Sequence, residues 1–212
     1  MRSVKKISIL GAFVISFILA ATPSIAQITL ELQGGATFPT GDLNEYWNIG
    51  YTAGSTILYE VTPFVSLGVN LAYSGMGLDA DRLKGELNLE EWDISGGTAS
   101  VFSACGEIRA HAGAMDVATI FAGAGFGLFH IGLSDIESTF EDEKETSSFA
   151  SEDQPGGYIH AGGAIPLSPM VKLGLKGQFT FYQIKNEDLE YMLDASEGRS
   201  FVSLMAVLII EL

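Results

Sequence analysis

The sequence predicts an all-β protein, an eight-stranded antiparallel up-and-down transmembrane β-barrel. Three observations predict it: segments that alternate apolar and polar residues, connections that are alternately short and long, and glycines spread through the strand-like segments. The chain has 212 residues, of which 25 are glycine and 47% are hydrophobic. Glycine weakens the strands of a soluble core, but it gives room to large neighbours inside a narrow barrel.

The alternation begins after residue 27. Ile28–Phe38 places apolar residues and glycine on one parity, and threonine, glutamate and glutamine on the other. Ile49–Val61 and Phe64–Gly75 continue the pattern, and Thr62-Pro63 forms a tight connection because proline fixes its backbone angle. A period of two indicates strands whose two faces meet different surroundings. We therefore expect three antiparallel strands here.

Four segments of the same kind follow before the end of the chain. They are Gly97–Ala110, Asp116–Leu133, Gly157–Leu167 and Arg199–Leu212. In the second of them, the parity opposite Ile120 and Leu128 carries three glycines, Gly123, Gly125 and Gly127. We expect these glycines to give room to Phe121 and Phe129 inside the barrel.

The strand Val171–Tyr182 shows most clearly which face meets lipid. One of its parities carries Lys172 and Lys176, and a lysine cannot face lipid unpaired. We expect both lysines inside the barrel. The predicted lipid-facing side chains are the opposite parity, Val171, Leu173, Leu175, Phe179 and Phe181.

The connections are sorted by length. Short turns are predicted at residues 62–63, 112–115 and 166–169, and longer loops at residues 40–46, 76–96, 134–154 and 184–198. Short periplasmic turns and long external loops are typical of outer-membrane barrels. A soluble eight-stranded barrel has no reason to sort its connections in this way.

The acidic residues are concentrated in the long loops. The formal net charge is −15, and 21 of the 26 acidic residues fall in the four loops. This charge argues against nucleic acid as a partner. We expect a negatively charged rim with at most weak binding of calcium or magnesium, which could bridge loop carboxylates to lipopolysaccharide phosphates; a solvated acidic surface is the alternative.

Charged residues on the polar parity of the strands are predicted to form an interior network. An eight-stranded barrel is only wide enough for side chains to fill, so we expect these charges to pair and plug it, with a narrow ion path as the alternative. Lys172 and Glu211 should approach each other near the short-turn end. The predicted network consists of Glu31, Glu60, Glu107, Arg109, Lys172, Lys176 and Glu211.

The first 26 residues are predicted to be a cleaved signal peptide. A basic start is followed by the apolar run Ile7–Ala21, which is short for a membrane span, and small residues precede a cleavage site after Ala26. Residues 27–212 would then be the barrel domain. An uncleaved N-terminal anchor is the alternative.

Three segments carry a resemblance to a known family. Gly34–Asp42, Phe121–Gly127 and the final amphipathic strand resemble the small outer-membrane β-barrel proteins of the OmpA/OmpX type. The resemblance implies an outer-membrane location, contact with membrane lipid and lipopolysaccharide, insertion by the barrel-assembly machinery and a monomer. One departure is the C-terminal residue, which is usually aromatic in the family and is Leu212 here.

The sequence predicts a non-enzymatic integral outer-membrane protein. Its plugged polar interior and acidic external loops would serve envelope structure or surface interaction, and a small porin or channel is the alternative. A lipid-modifying enzyme using His130, Ser134 and Glu137 is a weaker alternative, because no nucleophile motif surrounds the serine. We predict no catalytic residue, no metal site and no cofactor. In particular, Gly123–Gly127 is not expected to bind a dinucleotide, since it continues a strand instead of opening a helix.

Overall fold

The computed structural model describes residues 27–41, 43–87, 93–114, 117–140, 143–147, 151–182 and 199–212. The predicted signal peptide, residues 1–26, and the whole of the fourth long loop, residues 184–198, lie outside the described residues. The described strands, in chain order, are β1 (Ile28–Thr40), β2 (Gly50–Thr62), β3 (Val65–Gly77), β4 (Asp93–Gly96), β5 (Thr98–Ala114), β6 (Ala118–Leu133), β7 (Ile136–Phe140), β8 (Glu143–Ser147), β9 (Glu152–Ser168), β10 (Val171–Tyr182) and β11 (Arg199–Glu211).

Eight of these strands form one closed antiparallel barrel, which confirms the predicted fold class. Their order around the barrel is β1, β11, β10, β9, β6, β5, β3 and β2, and β2 pairs again with β1. Each strand pairs with its neighbours in sequence within the barrel, so the topology is up-and-down.

The register of the strands fixes the size and tilt of the barrel. Starting at Glu31 on β1 and moving from each residue to its partner on the next strand, through β2 and around the barrel, one reaches Arg199 on β11. The direct partner of Glu31 on β11 is Ile209. The two positions on β11 differ by ten residues, which is the offset of the closed sheet. With eight strands, this offset corresponds to a tilt of about 40° from the barrel axis. Such a barrel has an interior just wide enough to be filled by side chains.

The two parities of the barrel strands face opposite surroundings, as the sequence predicted. On β10, Leu173, Leu175, Phe179 and Phe181 are exposed on the outer wall, whereas Lys176 is fully buried inside. Val171 is partly exposed. The outer wall is therefore apolar.

An outer row of aromatic side chains lies near the long-loop end. Tyr73 on β3 pairs with Phe102 on β5, which pairs with His130 on β6. The ring of Tyr51 on β2 lies 6.0 Å from that of Tyr73. Amphipathic rings are typical of the level at which a membrane meets water.

Several segments at the long-loop end that the sequence predicted only as loops contain helices or strands. A helical turn, α1 (Leu43–Tyr46), follows β1, and a helix, α2 (Ala80–Leu87), follows β3. Strands β4, β7 and β8 form a separate three-stranded sheet. Strand β4 leads into β5 through Gly96 and Gly97, whose φ angles of 84° and 69° favour glycine.

No helix among the described residues is long and apolar enough to cross a membrane.

Candidate functional site

Four buried charged side chains meet inside the barrel. Arg109 Nη1 donates to Glu31 Oε2 at 2.6 Å, and Lys176 Nζ donates to Glu31 Oε1 at 2.5 Å. Arg109 Nε donates to Glu107 Oε1 at 2.8 Å. All four are at most 4% exposed. We call Glu31, Glu107, Arg109 and Lys176 the ionic layer.

The ionic layer is balanced in charge, with two carboxylates and two bases. It joins strands from opposite sides of the barrel, since Glu31 lies on β1, Lys176 on β10, and Glu107 and Arg109 on β5. Buried charges are tolerated only when they are paired and hydrogen-bonded. Each of the four side chains makes at least one ion pair within the layer.

Two side chains of β9 extend the ionic layer. Tyr158 Oη donates to Glu107 Oε2 at 2.5 Å, and His160 Nε2 lies 3.0 Å from Glu107 Oε1. Both cross the neighbouring strand β6, where Gly125 pairs with Tyr158 and Gly123 with His160. A Cβ atom at Gly125 would lie 2.3 Å from the Tyr158 ring, and one at Gly123 would lie 2.5 Å from His160 Nε2.

The glycines of β6 therefore have a different role from the one predicted. They give room to Tyr158 and His160, and not to Phe121 and Phe129. The two phenylalanines pack instead over glycines of β9. A Cβ atom added at Gly162 would lie 2.6 Å from the Phe121 ring, and one added at Gly156 would lie 2.7 Å from the Phe129 ring. Large side chains on each strand thus lie against glycines on the other.

The interior between the ionic layer and the long-loop end holds a cluster of apolar and aromatic side chains beside buried polar ones such as Thr37, Arg199 and Ser203. Leu43 and Trp47, from α1 and the residue after it, are 4% and 6% exposed. They are held to the next loop by hydrogen bonds from Asn48 N to Gly77 O and from Asp79 N to Tyr46 O. The cluster beneath them includes Met76, Val101, Cys105, Phe129, Ile131, Tyr158, Tyr182 and Phe201. We call this cluster, with Leu43 and Trp47, the aromatic cap.

The remaining predicted network residues lie at the short-turn end and do not join the ionic layer. Lys172 Nζ is 2.5 Å from Glu211 Oε1, at the position where the sequence placed this pair. Glu60 Oε1 is 3.6 Å from His111 Nε2, which also lies 3.2 Å from Ser66 Oγ. These side chains line a cavity of about 300 Å³ that is open at the short-turn end. We call it the mouth cavity.

Two of the three side chains considered for an enzyme, His130 and Ser134, have other partners. His130 Nδ1 lies 2.7 Å from Asp153 Oδ1 on the outer wall. Ser134 Oγ accepts a hydrogen bond of 2.7 Å from the backbone N–H of Thr98. Within the described part of the chain, no three His, Cys, Asp or Glu side chains are grouped as a metal site.

Comparison with known proteins identifies the fold. No family model matches the chain, and no curated protein matches it. The crystal structure of Neisserial surface protein A superposes with a TM-score of 0.55 at 9% identity, covering 86% of this chain and 96% of that one. The fold is that of a small outer-membrane β-barrel.

Other solved outer-membrane barrels superpose less closely. A major outer membrane protein from Thermus thermophilus gives a TM-score of 0.49 at 12% identity, over 87% of this chain and 99% of that one. OprG of Pseudomonas aeruginosa gives 0.48 at 11% identity, over 87% and 95%. The outer-membrane barrel fold of this chain is assigned from the first superposition and from the closed barrel itself.

Proposed function

We propose that this chain is a non-enzymatic integral outer-membrane protein, with a closed barrel that supports external loops serving envelope structure or surface interaction. The outer wall supports the membrane location. Phe126 and Leu175 are 68% and 64% exposed on it, which would be unfavourable in water. The outward apolar residues of β6, from Ile120 to Leu128, span about 20 Å along the barrel axis, close to the apolar band of such barrels.

The ionic layer is the observation that carries the proposal of a closed barrel. A permeating ion would have to separate Glu31 from Arg109 and Lys176 in a site where none of them can gain water in exchange. Breaking a buried pair in this way costs about 3–5 kcal/mol. The aromatic cap adds a second, apolar obstruction towards the long-loop end. A small channel is therefore the less favoured function.

Solute release from proteoliposomes tests the closed barrel. Vesicles containing the purified protein should release a trapped small ion no faster than protein-free vesicles. Release that depends on the protein, and that Lys176→Met alters, would favour the channel. Before the assay, a change in electrophoretic mobility on boiling should verify that the protein has refolded. Cell fractionation tests the location separately, and should place the protein with the outer membrane.

The acidic loops support a role at the cell surface. We propose that they contact lipopolysaccharide, with calcium or magnesium bridging loop carboxylates and lipid phosphates, and that the barrel-assembly machinery inserts the chain as a monomer. Vesicles containing lipopolysaccharide test the cation bridge. Removing divalent cations should lower the thermal stability of the protein in those vesicles and leave it unchanged in vesicles of neutral phospholipid; an equal change in both would contradict the bridge.

A further inference from the structure

The short turns of the barrel each present a large apolar side chain at the tip. Phe64 lies between β2 and β3, Val117 between β5 and β6, and Met170 between β9 and β10. Leu212 follows the last strand, and its backbone N–H donates to Ile28 O. The side chains of Phe64, Val117, Met170 and Leu212 are all more than half exposed, and we call these four residues the apolar rim.

The apolar rim runs around the whole barrel. In the order of the strands, the turns join β2 to β3, β5 to β6 and β9 to β10, and Leu212 lies where β11 meets β1. One apolar tip therefore lies at each quarter of the circumference. Contact of large apolar side chains with water is unfavourable, so such a surface indicates a partner. A surface on all sides of the barrel fits a partner that surrounds it, as a lipid bilayer does.

The apolar outer wall continues without a break to the rim. On β9, Ile165 and Leu167 are exposed directly before the turn. On β2, the outward residues run from Tyr51, in the row of aromatic side chains near the long-loop end, to Val61, beside the turn. At a tilt of about 40°, these ten residues span about 25 Å along the barrel axis. This is the height of the apolar band that an outer-membrane barrel places in lipid, so the turns lie at its lower boundary.

A protein bound beneath the barrel fits the rim less well than lipid does. The rim encircles the opening of the mouth cavity, where the ion pair of Lys172 and Glu211 is partly exposed. A partner that covered all four apolar tips from below would also remove these charges from water, which is costly. Lipid around the rim covers the apolar tips and leaves the mouth cavity open to water.

We propose that the apolar rim lies in the phospholipid of the periplasmic leaflet, with its side chains at the boundary between acyl chains and headgroups. The short turns then end within the membrane interface instead of projecting into water. The other residues of the first and third turns, Thr62, Pro63, Ser168 and Pro169, carry no charge and are compatible with this position. The inference rests on the proposed membrane location and adds where the barrel ends in the bilayer.

Spin labels on single cysteines measure the depth of the rim. Cys105, the only cysteine, is buried and is replaced by alanine, and folding is verified by heat-modifiable mobility. A label is placed at Phe64 or Val117, at Leu175 on the outer wall as the lipid reference, or at Ser147 in the external sheet as the water reference. In vesicles of phospholipid alone, relaxation of each label by oxygen, which concentrates in lipid, is compared with relaxation by a water-soluble nickel chelate.

The two references separate failure of the rim from failure of the membrane location. We expect the ratio of oxygen to nickel relaxation at Phe64 and Val117 to be severalfold higher than at Ser147 and lower than at Leu175. If Leu175 matches Ser147, the membrane location itself is wrong. If Leu175 lies in lipid but Phe64 and Val117 match Ser147, only the rim proposal is overturned. Shielding of the rim in native outer membranes but not in pure vesicles would also overturn it, in favour of a protein partner.

NMR of the unmodified barrel in phospholipid nanodiscs tests the rim without a label, which could itself draw a turn into lipid. The methyl groups of Val117, Met170 and Leu212 should show nuclear Overhauser effects to the glycerol and acyl protons of the lipid. The methyl group of Thr146, exposed in the external sheet, should show them to water alone. Contacts to water alone at all three rim residues would overturn the proposal.

Discussion

The energetic coupling of Glu31 and Lys176 is the sharpest prediction of the ionic layer. Lys176→Met leaves two buried carboxylates with one base, and Glu31→Gln leaves two bases with one carboxylate. The double variant, Glu31→Gln with Lys176→Met, removes one charge of each sign and leaves Glu107 paired with Arg109. Charge balance is therefore lost in each single variant and restored in the double variant.

The magnitude follows from the burial of the pair, since both side chains are fully buried and their charged atoms lie 2.5 Å apart. Removing one partner of a buried ion pair costs about 3–5 kcal/mol, whereas replacing both partners is often close to neutral. Each single variant should lower the free energy of unfolding by about 3–5 kcal/mol. The double variant should cost less than either, which gives a coupling of at least about 3 kcal/mol.

Urea unfolding in phospholipid vesicles, followed by tryptophan fluorescence, measures these free energies. The matched control makes the same two changes in the partly exposed pair, Glu211→Gln and Lys172→Met, where the side chains are 19% and 24% exposed. Water screens this pair, so its coupling should stay below about 1 kcal/mol. Additive effects at Glu31 and Lys176, or equal coupling in the two pairs, would refute the reasoning.

Three further predictions follow from the packing around the ionic layer. Gly125→Val should lower the free energy of unfolding by about 2–4 kcal/mol, because the valine side chain would displace the Tyr158 ring. Gly113→Val is the control: an added Cβ atom there meets nothing within 4 Å, so the free energy of unfolding should change by less than about 0.5 kcal/mol. Equal urea midpoints for the two variants would contradict this prediction. Tyr158→Phe should cost about 1–3 kcal/mol in the same assay, since Glu107 Oε2 loses its hydrogen bond, and no change would argue against that bond. Trp47→Ala should cost about 3 kcal/mol and still leave vesicles impermeable, since the ionic layer remains; vesicles that leak would show that the aromatic cap is the main obstruction.

The faces of the barrel strands could be predicted from the sequence because they depend only on a period of two. On β10, the outward position of Leu175 and the buried position of Lys176 follow directly from the alternation. The approach of Lys172 to Glu211 could be placed as well, because one follows a short turn and the other ends the last strand. Both inferences require only parity and the order of the strands.

The partners inside the barrel could not be predicted, because they depend on the ten-residue offset that accumulates around the closed sheet. This offset separates Glu60 from the ionic layer. Tyr158 reaches Glu107 through the local register, because Glu107 pairs with Gly125 and Gly125 pairs with Tyr158. The glycines in the polar parity of β6 were the signal that large side chains cross that strand. The external sheet was missed because β4, β7 and β8 are only 4, 5 and 5 residues long, too short for a clear period.

Planar-bilayer recording of the purified barrel tests the closed interior most directly. The account predicts no stable conductance steps for the unmodified protein, and none for Trp47→Ala, because Glu31, Glu107, Arg109 and Lys176 still fill the barrel. Stable single-channel steps from the unmodified protein that disappear or change size in Lys176→Met would contradict it. They would show that ions pass through the ionic layer.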